Sequence, residues 1–405
     1  MNIRIEPSVA RGSVAAPPSK SMAHRVLICA AMASGTSRLS GVSRCEDALA
    51  TVDCLRALGA ACTWEGEDVT VAGADLFNPP AQDLTLPCRE SGSTLRFMLP
   101  LAWLSGRPVT LTGTASLFRR PMAVYEAVAR EHGLGFFADG NRITVKGPLS
   151  AGVYTLPGDV SSQFVSGLLF ALSLTEGESE IRILPPVESR SYIHLTLSAL
   201  KTFGARVSWK NETTLHITGR DALDAHDCEV EGDYSNAAFL EAFNLLGGAV
   251  LVDNLDPASL QGDRVYRDCF ARLAKGCATL SLADCPDLAP ILFSVAAAKH
   301  GGTFTDTTRL KIKESDRAEV MARELRKFGA TVNVLDNSVE IRPTSFHAPT
   351  EPLQGHNDHR VVMSMAVLAS VTGGELQGAE AVAKSFPDFF ERIRSLGIQF
   401  QETQQ

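Results

Sequence analysis

Leu325-Arg326-Lys327-Phe328-Gly329-Ala330-Thr331-Val332-Asn333-Val334 reads as the last turn of an amphipathic helix, a glycine that stops it, and an alternating strand. Glycine suits the residue just past a helix because the left-handed conformation needed there is free of a Cβ clash. The same pattern recurs in Cys54-Leu55-Arg56-Ala57-Leu58-Gly59, in Leu200-Lys201-Thr202-Phe203-Gly204 and in Ile393-Arg394-Ser395-Leu396-Gly397, with weaker copies ending at Gly133 and near Gly276. The strand recurs too, as in Ala205-Arg206-Val207-Ser208-Trp209.

A second series precedes each of these: a polar turn running into a strongly apolar helix. Its members begin near Ser19, Ser91, Ser161, Ser235, Asp287 and Asp358, about 70 residues apart with one shorter step of about 50. Kinship between copies shows in Gly158-Asp159-Val160-Ser161-Ser162 against Gly232-Asp233-Tyr234-Ser235-Asn236. Six copies of a two-helix, several-strand unit account for the pattern, against chance likeness among amphipathic helices. Grouped three and three, they predict an α/β protein of two pseudo-symmetric domains, each of three similar α/β units, with a cleft between them. Helices starting at polar turns would then aim their N-termini into that cleft and make it electropositive.

The composition limits what such a cleft serves. The chain has 405 residues, 45% of them hydrophobic, and a formal net charge of −8. It is long enough for two cores. An acidic balance predicts no nucleic-acid or membrane-surface partner, since either needs a basic field. Nine cysteines without a C-x-x-C pair read as reduced thiols, and with no signal-peptide core and no membrane-length apolar run they predict a soluble cytoplasmic protein.

Against that acidic background the cations gather in a few motifs. In Ser19-Lys20-Ser21-Met22-Ala23-His24-Arg25 a polar helix start carries Lys20, with Ser21 and Arg25 four apart on one face. Glu90-Ser91-Gly92-Ser93-Thr94-Leu95-Arg96 repeats that logic, and Gly92 permits close approach of a ligand. Arg119-Arg120 puts adjacent guanidinium groups on a loop, and Ser161-Ser162-Gln163 opens a helix with neutral donors. Lys311-Ile312-Lys313-Glu314-Ser315-Asp316-Arg317 is the densest charge cluster, where Glu314 has cationic neighbours fit to tune a proton carrier. His356-Asn357-Asp358-His359-Arg360 and Lys384-Ser385-Phe386-Pro387 add Arg360 and Lys384, and Asp287 opens another helix. Taken singly, each motif also reads as a capped helix or a solvated basic turn. The two histidines lack a third ligand at zinc spacing, so no metal is expected. P-loop, dinucleotide, G-x-S-x-G and H-E-x-x-H signatures are absent from the sequence.

In order from Ser19 to Pro387, these segments resemble the enolpyruvyl transferases, and among them the branch that acts on shikimate 3-phosphate. The resemblance implies an inside-out α/β barrel in each domain, residues 15–228 forming one and 1–14 with 229–405 the other, and an active site in the interdomain cleft. It implies transfer of the enolpyruvyl group of phosphoenolpyruvate to the 5-hydroxyl of shikimate 3-phosphate, with no cofactor, in a monomer. Lys20, Ser21, Arg25, Ser161, Ser162, Gln163, Ser189, Tyr192, Asp287 and Lys313 would hold shikimate 3-phosphate. Lys20, Gly92, Arg120, Gln163, Arg317, Arg360 and Lys384 would receive phosphoenolpyruvate, and Lys20, Asp287 and Glu314 would be catalytic.

Some positions depart from the family pattern. Glu90 and Arg309 stand where asparagines are usual, Phe97 where proline is frequent, and Pro18 in place of a glycine. Glu90 beside anionic ligands needs a proton or a cation, which leaves the response to glyphosate open although Gly92 matches the glycine linked to it. The sister branch acting on UDP-N-acetylglucosamine carries a reactive cysteine before its R-P motif, whereas no cysteine lies between Cys88 and Cys228 here. A non-catalytic or RNA-end-processing relative is the remaining alternative, disfavoured by the acidic charge and by the presence together of Lys20, Asp287, Glu314 and Lys384.

Overall fold

The computed structural model describes residues 1–80, 83–220, 222–343 and 346–403 of the chain. Two compact units divide it, one of Pro18–Glu231 and one of Met1–Pro17 with Gly232–Gln405. Both are α/β, each around its own hydrophobic core.

Unit Pro18–Glu231 contains helices α1 (Lys20–Ala31), α2 (Glu46–Ala57), α3 (Gly92–Ala102), α4 (Ala115–Phe118), α5 (Ala123–His132), α6 (Ser162–Leu172) and α7 (Arg190–Thr202). Its three four-stranded sheets share one order: a parallel pair followed by an antiparallel hairpin. In the clearest copy Leu84–Pro87 runs parallel to Pro108–Thr112, and α3 makes the crossover a parallel pair requires. Alternation sets the buried face: Leu84, Leu86, Val109, Leu111, Ile143 and Val145 all point inward. Near the end of the unit Cys228–Glu229 returns to pair in parallel with Thr36–Ser40 and completes the sheet begun after α1.

The other unit contains α8 (Tyr234–Leu245), α9 (Tyr266–Lys275), α10 (Ala289–Ala298), α11 (Arg317–Lys327), α12 (His359–Thr372) and α13 (Phe389–Ser395). Two sheets repeat the same order, and the N-terminal strand Asn2–Ile5 lies inside one of them, between Gly374–Gln377 and Phe400–Thr403. The remaining sheet has two strands among the described residues, Arg11–Ala15 parallel to Ala249–Asp253. That copy lacks the hairpin, because α9 runs directly into Ala278–Ser281, a strand of the next sheet, where the other copies first form a hairpin after their amphipathic helix. Its absence explains the one short step in the repeat.

Helices α1, α3, α6, α10 and α12 are apolar on nearly every side and buried, as expected of core helices. Close packing demands glycine at one contact: a Cβ on Gly167 of α6 would sit 2.2 Å from Tyr125 Oη and 2.3 Å from the Arg96 carbonyl oxygen of α3. The amphipathic helices cover this core, and the recurring glycines that follow them, Gly59, Gly204, Gly329 and Gly397, have φ of +107°, +80°, +93° and +95°. None of the described helices is long and apolar enough to cross a membrane.

Candidate active site

In unit Pro18–Glu231 three apolar helices begin at serine caps. Ser19, Ser91 and Ser161 accept hydrogen bonds from the amides of Met22, Thr94 and Gln163. Each serine holds one amide of a first turn and leaves the dipole end for an anion.

The predicted residues of this unit are wired together around those starts. Arg25 is fully buried and donates from Nε to Thr196 Oγ1 at 2.9 Å, from one terminal nitrogen to the Ser21 carbonyl at 2.6 Å, and from the other to the Tyr192 carbonyl at 3.0 Å. It ties α1 to α7, where Ser189 holds a left-handed φ of +52° before the helix. Burial lowers the Arg25 pKa to about 10, which leaves it charged at neutral pH. Lys20 pairs with Asp47 of α2 at 2.9 Å.

Gln163 bridges two starts, accepting from Arg96 at 2.7 Å and donating to Ser93 Oγ at 2.9 Å. Gly92 opens α3 against two guanidinium groups: a Cβ there would lie 2.6 Å from an Arg120 nitrogen and 3.3 Å from an Arg96 nitrogen. The Arg119-Arg120 pair does not form a double fork, since Arg120 is buried while Arg119 is exposed. Ser116 donates to Glu90 at 2.6 Å, so this unexpected carboxylate has at least one polar partner.

The other unit builds a denser charge network. Arg317, 1% exposed at the start of α11, reaches Asp287 at 2.8 Å, Glu314 at 2.6 Å and Asp358 at 2.9 Å. Asp287 also accepts from Lys313 at 3.1 Å and from Arg360 at 3.2 Å. One carboxylate thus meets three cations drawn from a loop and two helix starts. Lys384 reaches the Asn357 carbonyl at 2.5 Å, just before α12. Burial, with Arg317 and Arg309 adding repulsion, lowers the Lys313 pKa against the pull of Asp287 and Glu314. Arg317 moves the other way: burial opposes its charge, but Asp358, Glu314 and Asp287 outweigh it.

Two helix starts differ from the sequence reading. Helix α8 is capped by Asp233, which accepts from the Asn236 amide, rather than beginning at Ser235. Asp287 is not a cap: it lies in the 3-10 turn Pro286–Leu288 ahead of α10, with its carboxylate turned to Lys313, Arg317 and Arg360. The turn therefore frees the acid for the charge cluster. Of the two histidines, His356 contacts Glu324 at 2.8 Å and His359 lies 4.0 Å from Asp358.

Sequence reasoning missed Asp47, Thr196 and Asp263. Asp47 reads as an ordinary acid in the first turn of a helix, and Thr196 as one polar residue in α7. Asp263 is buried, and that burial, with Asp287 nearby and Arg360 opposing, raises its pKa to about 6. Its only sequence signal is an acid in the turn before α9.

Comparison with known proteins bears on these geometries. A model of the family "EPSP synthase (3-phosphoshikimate 1-carboxyvinyltransferase)" matches residues 6–393. A Clostridium kluyveri protein named 3-phosphoshikimate 1-carboxyvinyltransferase is 36% identical, covering 99% of this chain and 98% of its own length. One of the same name from Clostridium beijerinckii is 35% identical over the same shares. Among solved structures, EPSP synthase from Acinetobacter baumannii covers 100% of both chains at a TM-score of 0.79 and 24% identity.

Proposed function

Because the chain belongs to the EPSP synthase family, we propose that it transfers the enolpyruvyl group of phosphoenolpyruvate to the 5-hydroxyl of shikimate 3-phosphate and releases phosphate. The two substrates carry a phosphate and a carboxylate each. Ser21, Arg25, Ser161, Ser162, Gln163, Ser189 and Tyr192, with Lys20, Lys313 and Asp287, hold shikimate 3-phosphate. Gly92, Arg120, Gln163, Arg317, Arg360, Lys384 and Lys20 hold phosphoenolpyruvate. A cation and an anion about 4 Å apart gain about 4 kcal/mol at an effective dielectric near 20, so these side chains suffice to neutralise both ligands without a metal.

The chemistry is addition followed by elimination. Glu314 gives a proton to the methylene carbon, which becomes a methyl, while Asp287 takes the proton of the attacking hydroxyl and its oxygen bonds to the adjacent carbon. The methyl then returns a proton, phosphate departs with its C–O electron pair, and the double bond re-forms. Lys20 stabilises the departing phosphate. The observation that carries this reading is the Asp287, Glu314 and Arg317 cluster. Two acids share Arg317, and one of them also meets Lys313 and Arg360, cations that can turn from the acids to incoming anions.

The finer architecture belongs to the same proposal: residues 15–228 as one domain and 1–14 with 229–405 as the other, each an inside-out α/β barrel, with both sets of residues acting on one pair of substrates in a cleft. The shared sheet order supports it. So does the need for Lys20 and Glu314 to serve the same reaction. The enzyme acts in the cytoplasm as a monomer, without nucleic-acid or membrane partners.

Phosphate release from phosphoenolpyruvate, measured with shikimate 3-phosphate and separately with UDP-N-acetylglucosamine, tests the reading. Release should require the shikimate ester. Release with the nucleotide sugar alone would overturn the assignment.

A further inference from the structure

Two helix starts share an unusual preparation. Arg89 stands two residues before Ser91, the cap of α3, with φ of +52°; His356 stands two residues before Asp358, the cap of α12, with φ of +50°. A bulky residue in the left-handed region is costly, and glycine would serve a plain turn better. In both places the side chain is tied to the neighbouring amphipathic helix. Arg89 donates to Glu46 and Asp53 of α2, at 2.6 Å each. His356 Nε2 meets Glu324 of α11 at 2.8 Å, and Glu324, fully buried, also accepts from Lys327 and the Gln354 amide. In each case the backbone at the tied residue or its neighbour contacts a segment that carries a proposed ligand-binding cation. The Arg89 carbonyl accepts from the Thr114 amide at 2.8 Å, fixing the cap of α4 ahead of Arg120. Asn357, next to His356 and itself at φ +53°, gives its carbonyl to Lys384.

We propose that Arg89 and His356 are equivalent positioning residues, each held in the left-handed conformation by its strut so that the first turns of α3 and α12, with Arg120 and Lys384, face phosphoenolpyruvate in fixed geometry. The ligand named here rests on the function proposed above; the struts themselves rest on the two matching geometries. A carboxylate fork on Arg89 fixes direction as well as distance. Glu324 serves the same end from inside the core, where its three donors leave it no alternative arrangement of equal quality. The strain is thus retained in return for a preset site.

Glycine variants separate this role from a structural one. Arg89→Gly and His356→Gly remove the strain together with the strut, so each should melt near the wild-type temperature. Each should nevertheless raise KM for phosphoenolpyruvate about tenfold, the equivalent of about 1.4 kcal/mol, and leave KM for shikimate 3-phosphate within about twofold. Asp53→Asn, which loosens the strut but keeps Arg89, should give a smaller rise of the same kind. Hydrogen exchange gives a readout independent of turnover: first-turn amides of α3 in Arg89→Gly, and of α12 in His356→Gly, should exchange about tenfold faster. Unchanged exchange at those amides overturns the proposal whether or not the wild-type protein turns over these substrates. Unchanged KM for phosphoenolpyruvate in an active enzyme also overturns it, as does a lower melting temperature with intact kinetics. An inactive wild type with faster-exchanging variants would instead refute the assigned reaction and leave the struts standing.

Discussion

Gly92→Ala isolates one contact. The added methyl would lie 2.6 Å from an Arg120 nitrogen, where ordinary contact begins near 3.4 Å, so the guanidinium must retreat by about 0.8 Å. Backbone strain does not enter, because Gly92 opens α3 without a positive φ. Alanine in a helix is worth about 0.5–1 kcal/mol over glycine, so stability should hold or rise slightly. The ligand loses instead. A hydrogen bond to a charged group contributes about 1.5–3 kcal/mol, and a donor displaced by about 0.8 Å forfeits most of it, which corresponds to a rise in KM for phosphoenolpyruvate of about tenfold to a hundredfold. Shikimate 3-phosphate, assigned mostly to residues in or just before α1, α6 and α7, should bind within about twofold of normal. Phosphate release at varied phosphoenolpyruvate and saturating shikimate 3-phosphate, alongside a thermal melt, measures all three quantities. A KM for phosphoenolpyruvate within twofold of wild type would refute the claim that Arg120 beside Gly92 grips that substrate.

Other perturbations follow from the same geometry. Glu314→Gln keeps a polar partner for Arg317 but removes the acid, so kcat should fall by about two to four orders of magnitude with substrate affinities little changed; single-turnover kinetics would show it. Arg317→Met leaves Asp358, which is 0% exposed, without its buried cation and should cost about 3–5 kcal/mol in urea denaturation. Gly167→Ala would force Tyr125 and the Arg96 backbone apart and should cost about 1–3 kcal/mol by the same assay. Asp263, with a pKa raised to about 6 by burial, binds more protons folded than unfolded between its ordinary value and 6. Its contribution therefore favours the fold at low pH and is lost as pH rises toward 6, by about 3 kcal/mol at most. Asp263→Asn should flatten that segment of the stability-pH curve, and a curve unchanged from wild type would show that another group sets it.

The helix framework was legible because its signals are local. Ser19, Ser91, Ser161 and Asp358 cap the helices they precede, and the repeated glycines take the left-handed φ that their position after a helix requires. Asp287 shows where local reading stops. An acid before an apolar run has the same sequence signature whether it caps the helix or sits one 3-10 turn earlier, and only the placement of Lys313, Arg317 and Arg360 decides where its carboxylate turns. Asp47 and Thr196 were invisible for a related reason: each matters through a partner more than 25 residues away, Lys20 in one case and Arg25 in the other. Arg119 and Arg120 look alike in sequence, yet one is exposed and the other packed beside Gly92. The missing hairpin after α9 left a visible trace in the shortened step, although the step alone did not say which strands were gone.

Mass spectrometry of the shikimate-derived product, formed from phosphoenolpyruvate and shikimate 3-phosphate in deuterated water, tests the central claim most directly. Passage through a methyl intermediate predicts a product heavier by the three-carbon enolpyruvyl unit and carrying solvent deuterium on its methylene group. Unchanged shikimate 3-phosphate would contradict the assigned reaction, and an adduct free of deuterium would contradict the addition and elimination chemistry.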